Sequence, residues 1–211
     1  MNAASDKPLL AVLKGERQRL APRWMMRQAG RYLPEYRALR ADKGGFLELV
    51  YDSAAAAEIT LQPLRRFGTG ADGLHAAILF SDILIVPYAM GQKLWFEAGE
   101  GPRLAPTLLE STLDALTPDY SRYEAIYETV RLVRAQLAPE TTFLGFAGSP
   151  WTIATYMVAG QGSKDHSAAR KMAYAEPERF GAIIDAIVDA TVPYLIGQID
   201  AGVDAVQLFD S

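Results

Sequence analysis

The segment Ala76-Ala77-Ile78-Leu79-Phe80-Ser81-Asp82 is the clearest structural signal in this chain of 211 residues. Its first five residues are apolar, and an uninterrupted apolar run of this length is typical of a strand buried on both faces of a sheet. Ser81 and Asp82 follow at the carboxyl end of the predicted strand. Because strands buried on both faces occur in parallel sheets covered by helices, the segment predicts an α/β fold.

Other segments extend this pattern in both directions along the chain. The remaining predicted strands are Arg23 to Met26, Thr142 to Phe146 and Val203 to Leu208. A helix is predicted from Pro8 to Arg19, before the first strand. The predicted helices between the strands include Ala54 to Phe67 with Ser53 as its N-cap, Tyr120 to Leu137, and Pro177 to Ala201. A small hairpin is predicted between Gln92 and Pro106. Buried strands that alternate with helices predict a parallel sheet with right-handed crossovers.

Polar or small residues follow each predicted strand, and they are Arg27, Ser81 with Asp82, Gly148 with Ser149, and Asp210 with Ser211. The carboxyl ends of parallel strands meet on one face of a barrel or at one edge of an open sheet, where active sites are built. A complete (β/α)8 barrel needs roughly 250 residues. We therefore expect either a truncated barrel or a half-barrel that pairs to close.

The segment Met26-Arg27-Gln28-Ala29-Gly30-Arg31-Tyr32-Leu33-Pro34-Glu35-Tyr36-Arg37 follows the first predicted strand. Gly30, between Arg27 and Arg31, permits a tight bend, and Pro34 can open a helix. A guanidinium group binds a carboxylate or phosphate through two parallel hydrogen bonds, so two arginines on one short loop would form an anion clamp. A solvated basic loop is the alternative interpretation.

Composition excludes several classes of protein and site. The formal net charge is −4 and the sequence pI is about 5.3, so no basic field favours general binding to nucleic acid. There is no cysteine, which excludes disulfides and thiolate metal sites. His75 and His166 have no ligand-like spacing and are expected at the surface. No signal peptide and no uninterrupted apolar run of about eighteen residues is present, so a soluble cytoplasmic protein without membrane contact is expected.

Five motifs occur in a fixed order. They are the segment from Met26 to Arg37, Leu61-Gln62-Pro63-Leu64-Arg65-Arg66-Phe67, Phe80-Ser81-Asp82-Ile83-Leu84, Gly148-Ser149-Pro150-Trp151-Thr152 with Thr155-Tyr156-Met157, and Gln207-Leu208-Phe209-Asp210-Ser211. In these motifs the chain resembles the uroporphyrinogen decarboxylase family over nearly its whole length. The resemblance implies a (β/α)8 TIM barrel, of which residues 1–211 supply roughly the first four β/α units as a single domain. It also implies a homodimer.

The family's reaction is implied with the fold. A carboxy-lyase of this family converts the four acetate side chains of uroporphyrinogen to methyl groups, which gives coproporphyrinogen in haem and tetrapyrrole biosynthesis. No cofactor and no metal ion are implied, because the pyrrole ring acts as its own electron sink. By resemblance, Arg27 and Arg31 bind substrate carboxylates with Gln28 beside them, and Arg27 is a candidate proton donor.

The resemblance assigns three further residues to the site. Asp82 is implied to accept hydrogen bonds from pyrrole N–H groups and to stabilise the positive charge that develops when a pyrrole carbon is protonated. Tyr156 and Ser211 match residues that contact substrate carboxylates. Each has a structural alternative: Asp82 as a helix N-cap, Tyr156 as a core tyrosine with its hydroxyl at the surface, and Ser211 as a frayed last residue.

Two other functions remain open at this point. One is a related barrel of the corrinoid-linked or cobalamin-independent methyltransferases, which bind zinc and lack the arginine segment. The other is a half-barrel without catalytic activity that binds porphyrinogens or a partner. Zinc content would separate the first of these from a decarboxylase, and a folded chain without activity would support the second.

Overall fold

The computed structural model describes residues 7–97, 99 and 101–210. Its α-helices are α1 (Pro8–Leu13), α2 (Pro34–Lys43), α3 (Phe46–Tyr51), α4 (Ser53–Phe67), α5 (Ile85–Ala89), α6 (Glu124–Arg134), α7 (Pro150–Ala159), α8 (Ser167–Ala175) and α9 (Pro177–Ala201). Its strands are β1 (Ala76–Ile78), β2 (Lys93–Glu97), β3 (Gly101–Ala105), β4 (Thr142–Gly148) and β5 (Ala205–Phe209). Single turns of 3-10 helix lie at Gly70–Asp72, Leu113–Ala115 and Tyr120–Tyr123.

Strands β1, β4 and β5 form one sheet in that spatial order. β1 and β4 run parallel, with Ala76 opposite Thr142 and Ile78 opposite Leu144. Every residue of these two strands is buried, as expected for a parallel sheet that helices cover. Three of the four predicted strands are therefore confirmed, and β2 and β3 form the predicted antiparallel hairpin.

The described residues group into two compact units. The first unit contains residues 7–81, 125–146 and 197–207, and the second contains residues 82–97, 99, 101–124, 147–196 and 208–210. The arginine segment belongs to the first unit, whereas Asp82 and Tyr156 belong to the second. The single domain expected from the sequence stays a prediction.

The predicted strand from Arg23 to Met26 is wrong, because these residues are not a strand in the structure. Met25 and Met26 are 66% and 53% exposed. His75 N–H donates to the carbonyl of Arg23 at 2.9 Å, but Arg23 N–H donates to Nδ1 of the His75 imidazole at 3.2 Å. Since the imidazole occupies the place of the backbone carbonyl that a ladder requires, the pairing does not continue. His75 is half-buried as a result.

Helix α4 begins one residue before the predicted helix, because Asp52 is its N-cap instead of Ser53. Asp52 Oδ1 accepts a hydrogen bond from Ala55 N–H at 3.0 Å. This bond, followed by that from Lys43, holds the pKa of Asp52 below its usual value. Ser53 Oγ instead donates to the carbonyl of Ala125 at 2.8 Å and so ties α4 to α6. Serine and aspartate are both favourable N-cap residues. Asp52 is the N-cap here because the hydroxyl of Ser53 is already bonded to Ala125.

Two predicted helices are shorter in the structure. α1 ends at Leu13 instead of Arg19, since Gly15 has a φ of 90° that an α-helix does not accommodate. The helix predicted over Tyr120 to Leu137 is a 3-10 turn followed by α6. Its apolar face is buried through Ile126, Val130 and Val133, so the predicted amphipathic pattern is correct although its ends are not.

A buried side chain from α9 fixes the middle of β4. The amide of Gln198 is 0% exposed, and its Oε1 accepts from Phe146 N–H at 2.9 Å while its Nε2 donates to the Phe146 carbonyl at 3.1 Å. Gly145 makes room for this amide, because a Cβ at position 145 would lie 2.3 Å from Gln198 Oε1. The side chain thus replaces a neighbouring strand at this point.

Asp204 holds the beginning of β5 against β4. One carboxylate oxygen of Asp204 accepts from Phe143 N–H at 2.7 Å, and the carboxylate also binds Lys7 at 2.5 Å and Arg134 at 3.2 Å. Asp204 N–H returns a bond to the Phe143 carbonyl at 2.8 Å. These contacts join the amino-terminal region, α6 and the sheet within the first unit.

Helix α9 exposes an apolar stripe. Val188, Val192, Ile196 and Ile199 recur at helical spacing and are between 38% and 52% exposed. The helix is long and apolar enough to cross a membrane by length and composition alone, a test that core helices of soluble proteins also pass. The helix is therefore weak support for a membrane segment.

Candidate functional site

Arg27 and Arg31 lie on the loop that precedes α2, and both are exposed. Within the part of the chain that the structure describes, neither guanidinium group makes a hydrogen bond or an ion pair. Helix α2 begins at Pro34, as predicted. Gly30 does not have a positive φ, so the bend of the loop does not depend on a conformation that favours glycine. The loop presents two positive charges that remain available to an anion.

Gln28 has a different environment from the two arginines, because it is only 2% exposed. Its Nε2 donates to the carbonyl of Ala76, the first residue of β1, at 3.2 Å. Its Oε1 accepts from Met25 N–H at 3.4 Å. Both polar ends of this amide are thus occupied inside the protein, and the predicted contact of Gln28 with substrate stays a prediction.

The acidic residue of the same segment does not neutralise the arginine loop. Glu35 binds the guanidinium group of Arg66 through both carboxylate oxygens at 2.7 Å. The hydrogen bond from Arg66 lowers the pKa of Glu35 to about 2. Since Glu35 is paired with Arg66 across α2 and α4, its charge does not compete with a ligand for Arg31.

Asp82 lies four residues beyond β1, in the turn that leads to α5. Its Oδ1 accepts a hydrogen bond from Leu84 N–H at 2.8 Å, which is an Asx turn. Leu84, and not Asp82, is the N-cap of α5, so the alternative role as a helix N-cap is wrong. Burial raises the pKa of Asp82 to about 6, and the bond from Leu84 opposes this shift. The carboxyl group therefore titrates close to neutral pH.

Tyr156 lies on α7 within the same unit as Asp82. The tyrosine is half-buried, and its pKa is raised first by burial and second by the negative charge of Asp82. Tyr156 therefore lies within electrostatic range of the Asp82 carboxylate, whose negative charge opposes ionisation of the phenol. Gly162 lies beside the ring, since a Cβ at that position would be 3.4 Å from the Tyr156 hydroxyl oxygen.

The end of β5 reaches the first turn of α7. Ser149 N–H donates to the carbonyl of Phe209 at 2.8 Å, and Thr152 Oγ1 donates to Asp210 Oδ1 at 2.8 Å. Thr152 is buried whereas Asp210 is exposed. The predicted contact residue Ser211 lies outside the described residues. The residue before it is held by Thr152.

Most of these positions are predicted from the sequence, but the bond between Thr152 and Asp210 is not. Thr152 and Tyr156 are four residues apart on α7 and therefore share one face of the helix, a spacing that could have identified Thr152. The structure brings Arg27, Gln28 and Arg31 together in the first unit and Asp82 and Tyr156 together in the second. Among residues 7–97, 99 and 101–210, no three His, Asp or Glu side chains are placed to hold a metal ion.

Curated relatives match this chain over almost its entire length. The uroporphyrinogen decarboxylase of Sphingopyxis alaskensis is 68% identical over 208 residues, and that of Rhizorhabdus wittichii is 70% identical over 208 residues. Both alignments cover 99% of this chain and 59% of the relative. The uroporphyrinogen decarboxylase of Paracoccus denitrificans is 51% identical over 210 residues, which are 60% of its length. The chain thus spans about three fifths of the length of these relatives.

A solved structure shares the fold at low sequence identity. A methyltransferase from Methanosarcina mazei superposes with a TM-score of 0.73 and 18% identity, over 97% of this chain and 58% of the other. Identity this low reports on the fold alone. Together with the parallel pairing of β1 and β4, the likeness confirms the predicted fold class, a partial (β/α)8 barrel.

The family assignment rests on the sequence of nearly the complete chain. Residues 4–211 match the family described as "Uroporphyrinogen decarboxylase (URO-D)". This range includes the arginine loop, Asp82 and Tyr156, and the relatives above carry the same name at 51% to 70% identity. The chain therefore belongs to the uroporphyrinogen decarboxylase family.

Proposed function

We propose that this chain takes part in the decarboxylation of uroporphyrinogen, in which the four acetate side chains lose carbon dioxide and coproporphyrinogen forms. The observation that carries the proposal is the pair of guanidinium groups on one short loop. Arg27 and Arg31 are exposed and have no partner among the described residues. A substrate that carries eight carboxylates requires such groups, because guanidinium binds carboxylate bidentately. Membership of the family supports the same assignment.

Asp82 and Arg27 are the proposed catalytic residues. A proton adds to the pyrrole α-carbon next to the carbon that carries the acetate, and the ring acquires a positive charge that the carboxylate of Asp82 stabilises while it accepts hydrogen bonds from pyrrole N–H groups. The bond between the acetate methylene and its carboxylate then breaks, its electron pair passes into the ring, and carbon dioxide leaves. Protonation of the methylene and loss of the ring proton give the methyl group. The ring is the electron sink, so the reaction needs no cofactor.

The environment of Asp82 supports this role. A pKa of about 6 leaves the carboxyl group mostly ionised at pH 7, so it can accept hydrogen bonds. Burial that raises the pKa also strengthens the interaction of the carboxylate with a positive charge, because the local dielectric constant is low. Tyr156 and Ser211 are proposed to contact substrate carboxylates, and the negative charge of Asp82 contributes to the raised pKa of Tyr156.

Arg31→Met is expected to weaken the binding of uroporphyrin, the stable oxidised form of the substrate. A charged hydrogen-bonded pair contributes about 1.5–3 kcal/mol, so the dissociation constant should rise roughly tenfold or more. A fluorescence titration of uroporphyrin at fixed ionic strength measures the change. Arg17→Met is the matched control, since Arg17 is also exposed and also has no partner among the described residues. Equal affinity of the Arg31 variant and the wild type would contradict the proposed clamp.

Turnover tests the proposed reaction itself. The chain is incubated with uroporphyrinogen under anaerobic conditions, the products are oxidised, and the porphyrins are separated by the number of carboxylates they retain. We expect porphyrins that have lost acetate carboxylates, and fewer of them with the Arg31 variant. Unchanged octacarboxylate in the presence of a folded chain that binds it would contradict decarboxylation by these residues. Homodimerisation and a cytoplasmic location belong to the same proposal.

A further inference from the structure

We infer that Arg37, the third arginine of the segment, is a positioning residue that fixes the backbone of the arginine loop together with Gln28 and Tyr32. Arg37 contacts the loop and not the ligand, whereas Arg27 and Arg31 remain free to bind carboxylates. This inference rests on the proposed function, because it assigns the support of the same carboxylate-binding loop. The residues form a brace, a name that we use below for Gln28, Tyr32 and Arg37.

Arg37 binds two successive carbonyl groups of the loop. Its Nη1 donates to the carbonyl of Arg31 at 2.8 Å and to that of Tyr32 at 3.2 Å. Nη1 carries two N–H donors held in the plane of the guanidinium group, so this one nitrogen can restrain both peptide groups at once. The guanidinium of Arg37 is thereby engaged with the chain that carries Arg31, and the side chain of Arg31 stays unpaired among the described residues.

The other end of the loop is held through Gln28. Its side-chain amide donates to Ala76 O at 3.2 Å and accepts from Met25 N–H at 3.4 Å, so the loop is attached to the first residue of β1. The hydroxyl of Tyr32 donates to the backbone carbonyl of Gln28. The backbone is therefore held on both sides of Arg27. Met25 and Gln28 are tied to β1 through the Gln28 side chain, and the carbonyl of Gln28 is tied to Tyr32.

Packing supports the same arrangement from beneath the loop. Leu33 is 1% exposed and lies in a core cluster with Tyr36, Leu49, Ala55 and Ile59, against which Ala29 also packs. Leu33 N–H donates to the carbonyl of Gly30 at 3.0 Å and closes the turn that contains Arg31. Apolar side chains of the loop therefore point into the protein while Arg27 and Arg31 are exposed.

A fixed backbone matters because a clamp of two long side chains loses conformational entropy when it binds. Ordering of each immobilised side chain costs about 0.5–1.5 kcal/mol, and a mobile loop would add the cost of ordering its backbone. The brace removes the backbone contribution before the ligand arrives. Sites held by supporting hydrogen bonds keep their geometry within the narrow limits that multidentate binding requires.

Arg37→Lys is the main test, because it keeps the positive charge but replaces the planar fork by one compact ammonium group. Tyr32→Phe is the second variant, since it removes the bond to the Gln28 carbonyl and keeps the ring that stacks on Phe67 at 6.4 Å. The matched controls are Arg17→Lys and Tyr174→Phe, at residues that are exposed and lie outside the loop. Urea unfolding verifies that all variants are as stable as the wild type.

Two measurements are made on each protein. A fluorescence titration gives the dissociation constant for uroporphyrin, and native-state hydrogen exchange gives the protection of Leu33 N–H. We expect both brace variants to bind uroporphyrin about fivefold more weakly and to exchange Leu33 N–H about tenfold faster, with both controls unchanged. Wild-type affinity and wild-type exchange in Arg37→Lys would overturn the inference. This substitution keeps the positive charge, so such a result would mean that only the charge of Arg37 matters and not its bonds to the loop carbonyls.

The exchange measurement separates a failure of the brace from a failure of the proposed function. If the wild-type chain binds no uroporphyrin, the proposed function is wrong, and the brace is judged by Leu33 exchange alone. Faster exchange in the two brace variants then supports it, and unchanged exchange overturns it. If the wild type binds and only the exchange rate changes, the loop is ordered by the brace but binding does not depend on that order, which overturns the positioning role.

Discussion

Asp82→Asn is expected to raise the free energy of unfolding at pH 7, although Asp82 is the proposed catalytic carboxylate. The structure places the carboxyl group where burial raises its pKa to about 6, so the charged form is less stable in the folded chain than in the unfolded chain. A pKa difference of one unit corresponds to about 1.4 kcal/mol, and the expected gain is about 1–3 kcal/mol. Asparagine preserves an oxygen acceptor for Leu84 N–H.

The pH dependence gives this prediction its sign. Because the pKa of Asp82 is raised from 3.8 to about 6 on folding, its contribution to stability is fully present below about pH 4 and is lost as the pH rises through about 6. Urea unfolding from pH 4 to pH 8 should therefore show equal stability of variant and wild type at the acidic end and a growing advantage of the variant up to pH 6. Glu35 and Asp52, whose pKa values are lowered, are present in both proteins. Their contributions therefore cancel in the difference between the two free energies of unfolding.

A substitution elsewhere provides the control for this experiment. Asp189→Asn changes the same functional group at an exposed position of α9 and should leave the difference near zero at every pH. A wild type more stable than Asp82→Asn above pH 6 would contradict the assigned environment. Stability gained at the expense of activity is a general mark of functional residues, since an active site keeps groups that the fold alone would not select.

Gln198→Leu is expected to destabilise the chain by about 2–5 kcal/mol. The substitution leaves Phe146 N–H and the Phe146 carbonyl without the partners they have at 2.9 and 3.1 Å, in a site where Gln198 is 0% exposed. Each buried polar group without a partner costs about 1–3 kcal/mol. Leucine has a volume similar to that of glutamine. The loss in free energy of unfolding is therefore due to the missing hydrogen bonds and not to a cavity.

The measurement is urea unfolding at pH 7 with Gln136→Leu as the control. Gln136 also donates to a backbone carbonyl, that of Leu132 at 3.0 Å, but it is exposed. Water can replace that bond, and the control should therefore lose no more than about 0.5 kcal/mol. Loss of less than about 1 kcal/mol in Gln198→Leu would show that the amide does not substitute for a neighbouring strand.

The apolar runs predicted the sheet because a strand that is buried on both faces requires consecutive apolar residues, and such a run can be recognised in the sequence. β1, β4 and β5 all overlap the predicted segments, with shifted ends, although Val206 and Leu208 of β5 are exposed. The segment Arg23 to Met26 also contains consecutive apolar residues but is not a strand. Arg23 N–H bonds to the imidazole of His75, whereas a strand would need a backbone carbonyl at this position. A pattern of apolar residues does not specify the partner that a strand will meet.

In the candidate site, too, features that depend on neighbouring residues could be predicted, and features that depend on residues distant in the sequence could not. The helix start at Pro34 followed from nearby residues, whereas the loop position of Arg27 and Arg31 was inferred from a strand over Arg23 to Met26 that the structure does not contain. The buried environment of Gln28 did not follow from nearby residues, because its partner Ala76 lies 48 residues away in the sequence. The raised pKa of Asp82 likewise depends on burial that the tertiary fold creates. The roles of these residues toward a substrate remain predictions.

Comparison of uroporphyrinogen with uroporphyrin tests the central claim, that Asp82 binds pyrrole N–H groups while the arginine loop binds carboxylates. Both ligands carry eight carboxylates, but the flexible porphyrinogen can direct four N–H donors to one carboxylate, and the planar oxidised ring cannot. Anaerobic equilibrium dialysis gives the two dissociation constants for the wild type and for Asp82→Asn. We expect the wild type to prefer uroporphyrinogen and the variant to lose roughly tenfold or more of that preference, since hydrogen bonds to a charged group contribute about 1.5–3 kcal/mol. An unchanged preference in Asp82→Asn would contradict the account.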